Sequence, residues 1–148
     1  MEITELKQIL LDQNADFEIL THDKPIYSKL DALGYFKLEE TAPTLILDTE
    51  NGFMALIISG EREKIDFKQL KKLTNCRKLQ LANSDEIKEK LNLKAGQIPL
   101  IGHKLPCIVD KKLFNYPFVY GGTGDLFHTL KIKPEDLVNA NQVILKFD

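Results

Sequence analysis

The sequence predicts one α+β domain built on a mixed, curved sheet. Three observations lead there. Helical and strand periodicities follow one another along 148 residues without the strict strand–helix–strand repeat of a parallel sheet. Glycine, proline and asparagine punctuate the apolar runs at short intervals. No repeat, low-complexity stretch or linker divides the chain. Its length suits a single domain, residues 1–148, that buries roughly two-thirds of its unfolded surface.

The elements follow in order. Ile3, Leu6, Ile9 and Leu10 recur at helical spacing over residues 2–13. Residues 16–21 alternate and read as a strand, which His22-Asp23-Lys24-Pro25 ends. Ser28 is placed to cap a short helix that runs to Leu33 and stops at Gly34. Thr44 to Asp48 and Phe53 to Ser59 are apolar strands joined by the tight turn Glu50-Asn51-Gly52. The second is apolar almost throughout, as a central strand should be. Asp66 suits the N-cap of a helix over the next residues. Lys78 to Leu81 is a short strand, and Ser84, Ile87 and Leu91 outline another small helix. Strands are expected at Leu105–Val109 and Pro117–Tyr120. A last helix opens at Pro134, where proline suits the first turn, and a terminal strand runs from Gln142 to Phe147.

Composition excludes several classes of function. The net charge of −2 argues against a general nucleic-acid coat, which needs a basic excess. A local cluster, Lys68, Lys71, Lys72, Arg77 and Lys78, serves either as a solvated helix face or as a contact for one RNA end. The two cysteines, Cys76 and Cys107, suggest a reducing compartment rather than a disulfide framework. Cys107, in an apolar strand after a proline, reads as a small buried hydrophobe. Three dispersed histidines make no metal site. The acidic, helical N-terminus is unlike a signal peptide, and no apolar run approaches ~20 residues. A cytoplasmic protein with no membrane contact is expected.

The candidate site is two glycine-bearing loops. Five of the eight glycines fall in them: Gly96 and Gly102 in the first, Gly121, Gly122 and Gly124 in the second. The concentration suggests close backbone approach to a ligand, although two ordinary turns would look the same. Exposed N–H groups there can hold a carbonyl oxygen or an anion. His103 is a candidate acid, base or donor, or simply a loop histidine. Tyr120 is placed to wall a pocket, with Thr123 and Thr129 near the same loop. Asp125 either takes an amine or hydroxyl or closes an Asx turn.

These residues, in this order, resemble the YbaK/prolyl-tRNA editing family of aminoacyl-tRNA deacylases. The likeness runs from the opening helix and strand with His22, through Thr44–Leu47, the helix after Asp66, the loop Gly96–Gly102 and Leu105–Asp110, to Tyr120-Gly121-Gly122 and the helix after Pro134. The resemblance implies a barrel-like sheet ringed by helices. It implies hydrolysis of a mischarged aminoacyl-tRNA by a free-standing enzyme. It calls for no protein nucleophile, because the substrate's own ribose hydroxyl can assist, and no cofactor and no metal are expected. Its partners would be the acceptor end of a mischarged tRNA, prolyl in type, and an aminoacyl-tRNA synthetase.

The chain departs from the family pattern twice. Pro43 stands where the family carries a lysine before Thr44-Leu45, and Leu100 stands where the first loop carries its proline. On this reading His103 and Lys104 are the catalytic residues that supply what Pro43 cannot. Thr44, Gly96, Gly102, Tyr120, Gly121, Gly122, Thr123 and Asp125 bind the substrate. The alternative is an inactive module that binds an aminoacyl-tRNA end, an amino acid or a nucleotide without turning it over.

Overall fold

In the computed structural model, which describes residues 2–94 and 96–148, the helix read at the N-terminus is α1 (Ile3–Asp12), which buries Leu6 and Leu10. Then come β1 (Phe17–Thr21), α2 (Lys29–Ala32), a 3₁₀ turn at Leu38–Glu40, β2 (Thr44–Thr49) and β3 (Gly52–Ile57). The middle holds α3 (Phe67–Thr74), β4 (Leu79–Leu81) and α4 (Ser84–Leu91). The chain closes with β5 (Pro106–Asp110), a 3₁₀ turn at Lys111–Asn115, β6 (Val119–Gly122), β7 (His128–Ile132), α5 (Pro134–Asn139) and β8 (Gln142–Phe147).

Local chemistry sets most boundaries. The Asp66 side chain accepts from Gln69 N at 3.1 Å and starts α3. Asn75 and Asn92 end α3 and α4 in the left-handed conformation. The cap of α4 is Asn83, one residue before Ser84. Pro134 opens α5.

The expected mix of helices with a mixed, curved sheet is present, its strands divided between two sheets rather than closed into a barrel. A three-stranded antiparallel sheet has the order β1-β7-β6, and a five-stranded mixed sheet has the order β4-β2-β3-β5-β8. Neither closes on itself among the described residues. β3 is central, antiparallel to β2 and parallel to β5. Both of its faces are covered. Ala55 and Ile57 join Cys107, Val109, Val119, Leu130 and Ile132 in a core between the sheets. Met54 and Leu56 join Ile108, Leu70 and Phe147 on the far side, under α3.

β7 is the strand absent from the sequence reading, its alternation being confined to the short run Thr129-Leu130-Lys131-Ile132. The sheets meet where Thr41 forms a parallel bridge to Tyr120 and Ala42 N donates to the Tyr120 carbonyl at 2.8 Å. Pro43, with no N–H to give, separates that bridge from the ladder that begins at Thr44.

Candidate functional site

A cavity of about 470 Å³ lies at this junction. The large sheet contributes Ala42, Pro43, Thr44 and Ile58, the small sheet contributes Tyr120, Gly121 and Thr129, and the two loops contribute Gly96, Ile98, Gly122 and Asp125. Ala42, Thr44, Ile58 and Ile98 are buried and mark the inner end; Tyr27, Ser28 and Glu63 are exposed and mark the rim. The lining is mainly apolar. Its charged side chains are Arg62, Glu63 and Asp125.

The two glycine loops are tied together, since Leu100 N donates to the Gly122 carbonyl at 2.9 Å. Gly121 is glycine for a packing reason. A Cβ there would stand 2.6 Å from Leu100 Cδ2 and 3.1 Å from its Cβ and Cγ. The ring of Tyr120 stacks on Phe36 with centroids 4.6 Å apart and closes one wall.

Polar groups at the cavity differ in what they leave free. Thr44 Oγ1 is buried with no hydrogen-bond partner among the described residues. Thr123 Oγ1 accepts from Asp125 N at 3.2 Å and lies 3.1 Å from the His128 carbonyl, so its own loop uses it. Asp125 Oδ1 accepts from Phe127 N at 2.8 Å, which is the Asx turn of the two readings. That backbone donor, followed by His128 beside it, holds the Asp125 carboxyl below its ordinary pKa. His22 Nδ1 donates to the Lys24 carbonyl at 2.7 Å, so its Nε2, 3.1 Å away, accepts from Thr129 Oγ1.

Of the residues assigned to catalysis or substrate binding, seven share the lining: Thr44, Gly96, Tyr120, Gly121, Gly122, Thr123 and Asp125. Gly102, His103 and Lys104 do not. His103 is buried elsewhere, its Nδ1 accepting from Leu105 N at 3.1 Å, and burial pushes its pKa down. Lys104 is exposed on a left-handed backbone with φ 62°. Neither side chain belongs to the lining, so the polar groups that line the cavity come from other residues. Cys107 is fully buried, with its thiol pushed up to about 12. Sequence reasoning missed Arg62, Phe36 and the contribution of Ile26, Tyr27, Ser28 and Ala32, because only the three-dimensional fold brings them to the loops.

No group of three or more His, Cys, Asp or Glu able to hold a metal occurs among the described residues. No helix there is long and apolar enough to cross a membrane.

A family model for the aminoacyl-tRNA editing domain matches residues 26–140. The crystal structure of the hypothetical protein APE2540 superposes with a TM-score of 0.84 at 23% identity, over 96% of this chain and 97% of that one. That of a candidate trans-editing enzyme for prolyl tRNA synthetase gives 0.80 at 18% identity, over 96% and 92%. A candidate signal transduction protein from Marinobacter aquaeolei VT8 gives 0.67 at 17% identity, and the likeness spans all of this chain but 30% of that one. At these identities the structural likeness establishes the fold.

Proposed function

Because the chain belongs to the aminoacyl-tRNA editing domain family, we propose that its cavity takes the 3′ end of a mischarged tRNA and hydrolyses the ester joining the amino acid to the terminal adenosine. The observation that carries this reading is an apolar cavity of about 470 Å³ in which Thr44 Oγ1 is buried without a partner. Such a cavity sorts small side chains by volume, one methylene being worth about 1–3 kcal/mol. An unpartnered buried hydroxyl costs about 1–3 kcal/mol, and a ligand that engages it recovers that cost.

In the step proposed, water attacks the ester carbonyl carbon and the bond to the ribose oxygen breaks. The ribose oxygen takes one proton from the water, the other passes to solvent, and the amino acid leaves as its carboxylate. Thr44 Oγ1 donates to the carbonyl oxygen as negative charge builds there. Asp125, ionised at neutral pH, attracts the substrate's ammonium group. The terminal ribose supplies its own neighbouring hydroxyl. This reading moves the polar role from His103 and Lys104 to Thr44.

Likeness to a candidate trans-editing enzyme for prolyl tRNA synthetase supports proline tRNA as the carrier. One observation favours the second reading, a module that holds the aminoacyl end without turnover: among the described residues the lining contains no His, Lys or Cys. Deacylation of Ala-, Cys- and Ser-tRNA bearing the proline anticodon, beside correctly charged Pro-tRNA, separates the two. Hydrolysis of a mischarged species with Pro-tRNA spared is the expected result. Saturable binding with every ester intact would establish the module instead.

A further inference from the structure

Resting on the reading of the cavity as the seat of an aminoacyl ester, we propose that Arg62 holds the phosphodiester preceding the terminal nucleotide and that Asp110 is the residue that positions it. Arg62 is the only cationic side chain in the lining among the described residues, against two carboxylates, Glu63 and Asp125. That balance repels an anion everywhere except along a fixed guanidinium.

The guanidinium is fixed on one edge only. Arg62 Nε donates to Asp110 Oδ2 at 2.7 Å and Nη2 donates to Oδ1 at 2.9 Å. An arginine has five N–H donors, so three have no partner among the described residues. Their fork matches two oxygens of a phosphate.

The mount is rigid. Asp110 is fully buried and also accepts from Ser59 N and Lys112 N, both at 3.0 Å, which fills its acceptor sites. The turn carrying Arg62 is pinned by Gly60 N to the Thr41 carbonyl at 2.9 Å and by Arg62 N to the Ser59 carbonyl at 3.0 Å. A side chain at Gly60 would collide with Thr41 Oγ1 and the Leu38 carbonyl. Thr41 is the residue that bridges to Tyr120, so the arginine is held relative to the cavity wall. The guanidinium also lies 5.0 Å over the Phe147 ring.

The substrate's chemistry selects the anion. The amino acid's carboxyl is esterified and neutral, so the nearest negative charge to the reacting bond is the phosphodiester on the 5′ side of the terminal adenosine. A free amino acid would present a carboxylate to the same fork, and the test separates the two.

The test compares two esters of one amino acid, aminoacyl-adenosine and aminoacyl-cytidylyl-adenosine, which differ by a single phosphodiester-linked nucleotide. The wild type is expected to prefer the dinucleotide ester by about 10- to 100-fold in kcat/KM, the worth of hydrogen bonds to a charged group. Arg62→Gln should bring the dinucleotide ester down to the level of the nucleoside ester, and Arg62→Lys should restore part of the preference. A merely structural role for Arg62 would lower both esters by the same factor, and that result overturns the inference. If the wild type hydrolyses neither ester, the hydrolase reading fails and affinities decide the inference. Tighter binding of cytidylyl-adenosine than of adenosine, abolished in Arg62→Gln, upholds it; equal affinities, or loss of free alanine binding alone, overturn it.

Discussion

Thr41 and Tyr120 form the joint between the two sheets, a parallel bridge reinforced by Ala42 N donating to the Tyr120 carbonyl at 2.8 Å. The cavity exists because of that joint. Pro43 and Thr44 leave it toward the large sheet, while Gly121 and Gly122 leave it toward the loop that Leu100 engages. Substitutions on either side should therefore act on the cavity through packing as well as through chemistry.

Gly121→Ala tests the packing. The added methyl meets the Leu100 side chain at 2.6 Å, and overpacking of a filled core costs about 1–3 kcal/mol. A urea denaturation midpoint lowered by that amount is expected, and Leu100→Ala in the same chain should relieve part of the overpacking that Gly121→Ala introduces.

Asp110 gives a pH test. Burial pushes its carboxyl up, but the Arg62 fork and the Ser59 and Lys112 N–H groups outweigh burial and hold the pKa below its ordinary value. A carboxylate lowered on folding adds stability above its unfolded pKa, and that stability is lost as pH falls through the folded pKa. Asp110→Asn should cost about 3 kcal/mol at pH 7, since it strands the arginine. The gap from wild type should narrow by pH 3, as read by denaturation at the two pH values.

His103 gives a second pH test, at a different position. Burial alone lowers its pKa from 6.5. The unfolded chain then binds the proton first, so stability falls as pH drops below 6.5 and levels off once the folded pKa is passed. His103→Gln should remove that slope. Chemical denaturation at pH 7.5 and 5.5 should show wild type losing more stability than the variant.

Lys104 is exposed and outside the lining. Lys104→Ala is expected to leave deacylation of a mischarged tRNA within about twofold of wild type, in keeping with the small effects of surface substitutions. A large loss would restore it to the catalytic role its position beside His103 suggests.

Local signals made most elements readable. The Ile3-Leu6-Leu10 spacing, the Asp66 cap, the Asn51-Gly52 turn and Pro134 each act within a few residues, and each element they mark is present. The fully apolar run around Ala55 told of a strand buried on both faces, and β3 is central. Pairing was not readable, because the division into two sheets depends on which strands meet, and among the described residues a single isolated bridge, Thr41 to Tyr120, links them.

At the site, adjacency of His103 to Gly102 in the chain did not bring it into the lining. Lys104 takes a left-handed backbone and Leu105 N donates to His103 Nδ1, local geometry that residue order alone does not reveal. Arg62 carried no motif at all, since its meaning depends on Asp110, 48 residues later in the chain.

The most direct test of the site is single-turnover deacylation of Ala-tRNA bearing the proline anticodon, by wild type and Thr44→Val. Valine keeps the shape and removes the hydroxyl. If Thr44 Oγ1 serves the ester, the rate should fall by about 10²-fold or more, the cost of losing one transition-state donor, while the folded stability holds or rises. An unchanged rate in Thr44→Val would contradict the assignment of chemistry to this cavity.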